Sequence, residues 1–131
     1  MKAIAHASVE SSDKNYRQEI STAGRNFVAD EPVSAGGQDA GPTPYDYLLT
    51  SLGACTAITL QMYAQHKGWE LDDLRVELSL WKNREGETRI DRVLHSSSEL
   101  DESQWQRLLD IASKTPVTKN LLAGVAINTT H

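Results

Sequence analysis

A chain of 131 residues is long enough to bury a core, and we expect one domain over residues 1–131. Its 18 acidic and 13 basic residues give a net charge of −5, which excludes general nucleic-acid binding because that needs a basic face. The sequence contains no apolar run of signal-peptide length and none that could span a bilayer, so we expect a soluble, cytoplasmic protein. The single cysteine cannot form an intrachain disulfide, which fits a reducing compartment.

The first third of the chain is predicted to form short strands. Turn residues separate the runs Ile4–Val9 and Tyr16–Thr22, which is typical of a β-hairpin, and Asn26–Ala29 is a third short strand. A loop over Asp30–Thr43 follows. Its glycines indicate a special backbone path or a close approach to another group.

A single long helix is predicted over Pro44–Lys67, with Thr43 as its N-cap and proline at its first position. Apolar residues cover nearly all of its faces, which is typical of a buried helix. Small residues surround Cys55, among them Gly53, so we expect the backbone of another element, such as a second copy of this helix, to come close there. One predicted face carries Leu48, Leu52, Cys55, Thr59 and Met62. A buried helix this long needs covering on every side, which favours a homodimer.

Two strands follow the long helix. Leu74, Val76, Leu78 and Leu80 alternate with polar residues and Trp81, which predicts a half-buried strand. The segment Thr88–Ser96 is its return strand, with a weaker alternation.

The C-terminal part is predicted to hold two further helices and a last strand. Asp101 begins the first of these helices, and Gln104 completes a capping box. The apolar face of this helix is predicted to comprise Trp105, Leu108, Leu109 and Ala112. Thr115 and Pro116 begin a short helix that Gly124 ends, and Val125 with Ile127 suggests a final strand. The order of elements indicates an α+β fold with antiparallel pairing.

Five segments together resemble the OsmC/Ohr superfamily, the osmotically inducible and organic hydroperoxide resistance proteins. They are Asp30–Pro32, Gly36–Pro44, Leu48–Leu49, Leu52–Thr56 and Ala112–Lys119. The resemblance covers nearly the whole chain. It implies an OsmC-like fold in which a long buried central helix packs on antiparallel sheet within an intertwined homodimer, with an active site between the subunits.

The resemblance also implies a chemistry for Cys55. In peroxidase members the helix cysteine attacks a hydroperoxide and becomes a sulfenic acid, and a second cysteine then forms a disulfide that external dithiols reduce. Here Thr115 stands in the place of the second cysteine and Tyr45 in the place of a glutamate. The first hairpin offers no clear match to the family's arginine. The chain therefore looks more like the generic OsmC-like branch.

Two functions stay open at this point. Cys55 is either the catalytic thiol of a one-cysteine peroxide reductase that an external thiol restores, or a packing residue in a non-catalytic homodimer that binds a small molecule. Tyr45, Thr56, Thr59 and Thr115 are the remaining pocket candidates. The four histidines are scattered without paired spacing, so no metal is expected, and no cofactor is expected either.

Overall fold

The computed structural model describes all residues, 1–131, as an α+β protein, which confirms the predicted class. The strands are β1 (Ala7–Ser11), β2 (Gln18–Thr22), β3 (Arg25–Ala29), β4 (Arg75–Lys82) and β5 (Thr88–His95). The helices are α1 (Pro44–Lys67), α2 (Glu102–Ala112) and α3 (Pro116–Ala123), with a short 3₁₀ turn at Val33–Ala35. No helix combines the length and the apolar character that a bilayer span requires.

The chain forms two compact units, Met1–Leu48 and Leu49–His131, and the boundary falls within α1. In the first unit, β1, β2 and β3 form an antiparallel sheet in chain order. The predicted hairpin is therefore confirmed, although β1 begins at Ala7 and leaves Ile4 exposed. That the whole chain is one domain stays a prediction.

The buried carboxylate of Asp30 organises the glycine-rich loop. One of its oxygens accepts the N–H groups of Tyr16 at 2.9 Å and Glu31 at 2.7 Å. The other accepts those of Gln38 at 3.2 Å and Ala40 at 3.0 Å. These backbone donors, led by Ala40, hold the pKa of Asp30 below its ordinary value, although burial opposes them. The special backbone path predicted for this loop is therefore one that wraps around a buried charge.

Helix α1 begins where the sequence predicts. The Thr43 N–H donates to the Asp46 carboxylate at 2.9 Å, and the Asp46 N–H donates to the Thr43 hydroxyl at 3.2 Å. Pro44 occupies the first helical position, where its missing N–H costs nothing. The Tyr47 hydroxyl donates to the Val28 carbonyl at 2.6 Å and so fastens the first turns of α1 to β3.

In the second unit, β4 and β5 form an antiparallel hairpin, and the core lies around Leu60, Leu108 and Ala112. The buried residues of α1 recur every fourth position: Leu52, Thr56, Leu60 and Ala64. This buried line is not centred on the predicted face, whose last residue, Met62, is 65% exposed in this chain. Because apolar residues lie on nearly all sides of α1, the sequence alone does not show which side faces the core of its own chain.

The two C-terminal helices begin as predicted. The Asp101 carboxylate accepts the Gln104 N–H at 2.7 Å, and the Gln104 side chain accepts the Asp101 N–H at 3.0 Å, so the capping box is present. Thr115 caps α3, Pro116 stands at its first position and Gly124 ends it. The predicted apolar face of α2 was wrong in one residue, since Leu109 is 47% exposed.

The predicted last strand is absent. Residues 124–131 form no strand, and Val125 and Ile127 are 67% and 86% exposed. An extended segment becomes a strand only when a neighbouring strand accepts its backbone hydrogen bonds. No strand of this chain pairs with it.

Candidate thiol site

Cys55 lies half-buried in α1 with a free thiol. Its neighbour Thr56 is fully buried and donates its hydroxyl proton to the Leu52 carbonyl at 2.7 Å. One turn after the cysteine, the Thr59 hydroxyl donates to the Cys55 carbonyl at 2.7 Å. Both threonines therefore bond the helix backbone with their protons and keep lone pairs for other donors.

The small residues before Cys55 make room for β4. A Cβ atom added at Gly53 would lie 2.8 Å from Cδ1 of Leu78, which is closer than van der Waals contact allows. The group that comes close to this part of α1 is thus a side chain of β4, and the expected approach of another backbone stays a prediction.

The guanidinium of Arg92 reaches α1 from β5. Its Nη1 donates to the Thr56 hydroxyl at 2.9 Å and to the Thr118 hydroxyl at 3.0 Å. Its Nη2 donates to the Ala112 carbonyl at 2.9 Å. One side chain therefore links β5 to α1, to the end of α2 and to α3, directly beside the residue that follows Cys55.

Arg92 has no carboxylate partner. It takes part in none of the ion pairs of the structure, and its three acceptors are neutral oxygens. Burial lowers the pKa of Arg92, and the nearby Cys55 works in the opposite direction and raises it. The guanidinium stays charged because its ordinary pKa is so high. A positive charge without an ionic partner therefore lies close to the thiol.

Thr115 joins this arrangement through Thr118. Thr115 is 1% exposed, and its hydroxyl oxygen accepts the Thr118 N–H at 3.4 Å as the cap of α3. The hydroxyl oxygens of Thr115 and Thr118 are 2.6 Å apart. We call Arg92, Thr56, Ala112, Thr115 and Thr118 the Arg92 network. It connects the position of the family's second cysteine to the residue next to Cys55 by hydrogen bonds.

The other predicted pocket residues lie outside the Arg92 network. Thr59 bonds only the backbone of α1, and Tyr45 stands in the first turn of that helix, in the first unit, about half exposed. Their part in a ligand pocket stays a prediction. No group of three or more His, Cys, Asp and Glu side chains is placed to hold a metal ion.

Sequence reasoning missed Arg92, although a signal was present. Ile90, Arg92 and Leu94 alternate with more exposed neighbours along β5, so the arginine occupies an inward position of a half-buried strand. A charged side chain at such a position is unusual and points to a buried polar network. The weak alternation of this strand in the sequence comes from Arg92 at an inward position and from Val93, 51% exposed, at an outward one.

A long helix that carries a lone thiol, with a half-buried arginine bonded to the residue after that thiol, forms a helix-borne thiol site in an α+β protein. A family model described as OsmC-like protein matches residues 36–130. The chain belongs to this OsmC family, which confirms the resemblance seen in its motifs. No match to a curated protein sequence reaches significance.

Solved structures show the same fold. A candidate osmotic stress-induced and detoxification response protein from Psychrobacter arcticus is 18% identical, with a TM-score of 0.79 over 92% of this chain and 90% of its own. An OsmC-like protein from Mycoplasma pneumoniae is 16% identical, with a TM-score of 0.74 over 93% of this chain and 89% of its own. The organic hydroperoxide resistance protein OhrB of Bacillus subtilis is 21% identical, with a TM-score of 0.62 over 89% of each chain.

Proposed function

We propose that this protein is a one-cysteine thiol peroxidase that reduces organic hydroperoxides in oxidative-stress defence, with Cys55 as its catalytic residue. The observation that carries the proposal is the Arg92 guanidinium, held beside the cysteine's helix without a carboxylate partner. A cation next to a thiol favours the thiolate, which is the nucleophilic form. The name of the Bacillus subtilis relative, an organic hydroperoxide resistance protein, supports the choice of substrate.

The proposed reaction has two stages. The Cys55 thiolate attacks one peroxide oxygen, so that an S–O bond forms and the O–O bond breaks. The alkoxide leaves and takes a proton to become an alcohol, and Cys55 becomes a sulfenic acid, oxidised by two electrons. An external thiol then attacks the sulfenic sulfur and releases water, and a second external thiol breaks the mixed disulfide and restores Cys55.

Arg92 suits the first stage of this reaction. A guanidinium carries five N–H donors, and Arg92 donates three hydrogen bonds within the Arg92 network. The remaining donors can bond the thiolate, and then the oxygen on which negative charge develops as the O–O bond breaks. The external thiol is needed because Thr115 has no thiol with which to resolve the sulfenic acid. This need for a thiol reductant fits the reducing cytoplasm, where we place the protein.

The test is consumption of cumene hydroperoxide with an added small thiol, by the wild type and Cys55→Ser. We expect the rate of peroxide consumption with the variant to equal that of buffer and thiol without protein. Its circular dichroism spectrum should be unchanged. In the wild type, a sulfenic-acid trap should label Cys55 after one equivalent of peroxide. Repeated turnover should slowly convert unlabelled Cys55 to sulfinic acid, because no resolving cysteine protects it. Equal rates in both proteins would reject the peroxidase and leave the small-molecule-binding homodimer.

The homodimer is part of the same proposal, and the exposed side of α1 supports it. Ile58 and Met62 are 51% and 65% exposed, and the small residues Ser51 and Ala54 continue the same helical side, also exposed. Contiguous apolar surface on a helix marks a contact with another protein. A second copy of α1 would cover it, within an interface above about 2,000 Å² in total.

Sedimentation equilibrium at micromolar concentration tests this assembly. We expect a dimer for the wild type and a monomer for Ile58→Glu, because the new charge would be buried without a partner. Ser103→Glu is the control, since it adds the same charge to an exposed position in the first turn of α2. A folded monomer of the wild type would contradict the proposed dimer.

A further inference from the structure

The guanidinium of Arg92 is held by acceptors from three helices, and each helix has a different relation to the thiol. Thr56 follows Cys55 on α1, so a change at Thr56 would also alter the helix that carries the thiol. The Ala112 carbonyl is part of the α2 backbone. Thr118, on α3, is the only other side chain that accepts from Arg92. It is therefore the residue that can be changed to release Arg92 without altering the cysteine's own helix.

The hydrogen-bond inventory shows that Thr118 is fixed by groups other than Arg92. A guanidinium only donates, so the Thr118 oxygen accepts from it. The single hydroxyl proton of Thr118 points either to the Ala112 carbonyl at 3.2 Å or to the Thr115 oxygen at 2.6 Å. Both choices leave a lone pair of the Thr118 oxygen directed at Arg92. The Thr118 hydroxyl is thus oriented by Ala112 and Thr115, and it in turn holds the Arg92 guanidinium.

Burial makes these bonds mutually dependent. Thr56, Thr115 and Thr118 are 0%, 1% and 8% exposed, so water does not replace a lost partner easily. Removal of one buried partner costs more than the bond itself, because the group left behind stays unsatisfied. The cap of α3 and the placement of Arg92 are therefore connected through the hydroxyls of Thr115 and Thr118.

We propose that Thr118 is a positioning residue, supported by Thr115, that directs the Arg92 guanidinium toward Cys55 and thereby sets how readily the cysteine reacts as a thiolate. Thr115, which stands where the family's peroxidases carry their second cysteine, then acts on the thiol through Arg92. The effect on peroxide turnover rests on the proposed function. The reactivity of Cys55 toward an alkylating reagent does not, and it is measured separately.

The experiment measures the rate of Cys55 alkylation by iodoacetamide against pH in the full-length protein. Thr118→Val keeps the shape of the side chain and removes the hydroxyl. We expect its rate profile to shift toward higher pH by about half to one pH unit, so that alkylation at neutral pH is about three- to tenfold slower. Arg92→Gln should move the profile at least as far. Thr118→Ser keeps the hydroxyl, so its profile should match that of the wild type. This variant separates the effect of losing the hydroxyl from a general loss of fold.

Ser113→Ala is the matched control for loss of a hydroxyl at the junction of α2 and α3. Its hydroxyl donates to the Asp110 carbonyl and does not contact Arg92, so its profile should also match the wild type. A shift with Arg92→Gln but none with Thr118→Val would overturn the positioning role. Unchanged profiles in both variants would overturn it as well. Shifted profiles without any peroxide consumption by the wild type would uphold the inference and reject the peroxidase.

Discussion

Leu108→Ala is expected to lower the free energy of unfolding by about 2–5 kcal/mol, the usual cost of emptying a fully buried leucine site. Leu108 is completely buried on α2 and packs with Leu60 of α1 and with Ala112. The alanine removes apolar contacts and leaves a cavity that the two helices cannot close without moving. Urea unfolding at one fixed protein concentration measures the loss, because the stability of the proposed dimer would depend on concentration.

The neighbouring residue supplies the control. Leu109 is 47% exposed, so Leu109→Ala should cost under about 1 kcal/mol although the chemical change is identical. The sequence pattern placed both leucines on the apolar face of α2, and only the structure separates them. Equal losses in the two variants, or a larger loss for Leu109→Ala, would contradict the orientation of α2.

Helix ends could be predicted from the sequence because the interactions that cap a helix are local. A cap acts within one turn, as the reciprocal bonds of Asp101 with Gln104 and of Thr43 with Asp46 show. Such ends can be read from four consecutive residues. The failed strand at Val125 and Ile127 has the opposite cause. A strand requires a partner strand, and the alternation of two residues says nothing about whether that partner exists.

The same distinction explains what was foreseen of the site. Cys55 is a candidate because the sequence holds only one cysteine, and Thr115 because the resemblance sets it in the place of a second cysteine. Arg92 was missed because its acceptor Thr56 lies 36 positions earlier in the chain. The first hairpin carries Arg17, which pairs with Glu19 at 2.7 Å and whose side chain is 40% exposed. Only the fold distinguishes a cation paired with a neighbouring carboxylate from one held by neutral oxygens without an ionic partner.

Gly37→Ala is expected to have the largest effect on the first unit. A Cβ atom at Gly37 would lie 2.6 Å from the carbonyl carbon of Glu31, closer still to its oxygen, and 2.8 Å from the Asp30 carboxylate. The Gly37 N–H also donates to the Pro32 carbonyl at 3.1 Å, so the loop cannot shift without losing bonds. The neighbouring groups are backbone and a buried carboxylate, and neither can rotate away. We expect a loss of about 3 kcal/mol or more in the free energy of unfolding.

Gly24→Ala is the matched control for this prediction. Gly24 has φ of 72° and nothing within 4 Å of an added Cβ, so alanine there meets backbone strain and no steric clash. Its cost should be about 1–2 kcal/mol. Hydrogen exchange locates the damage, because the N–H groups of Gln38 and Ala40 are protected only while they bond Asp30. Gly37→Ala should expose both to rapid exchange, whereas Gly24→Ala should leave them protected. Continued protection of both N–H groups in Gly37→Ala would contradict the steric clash expected at this position.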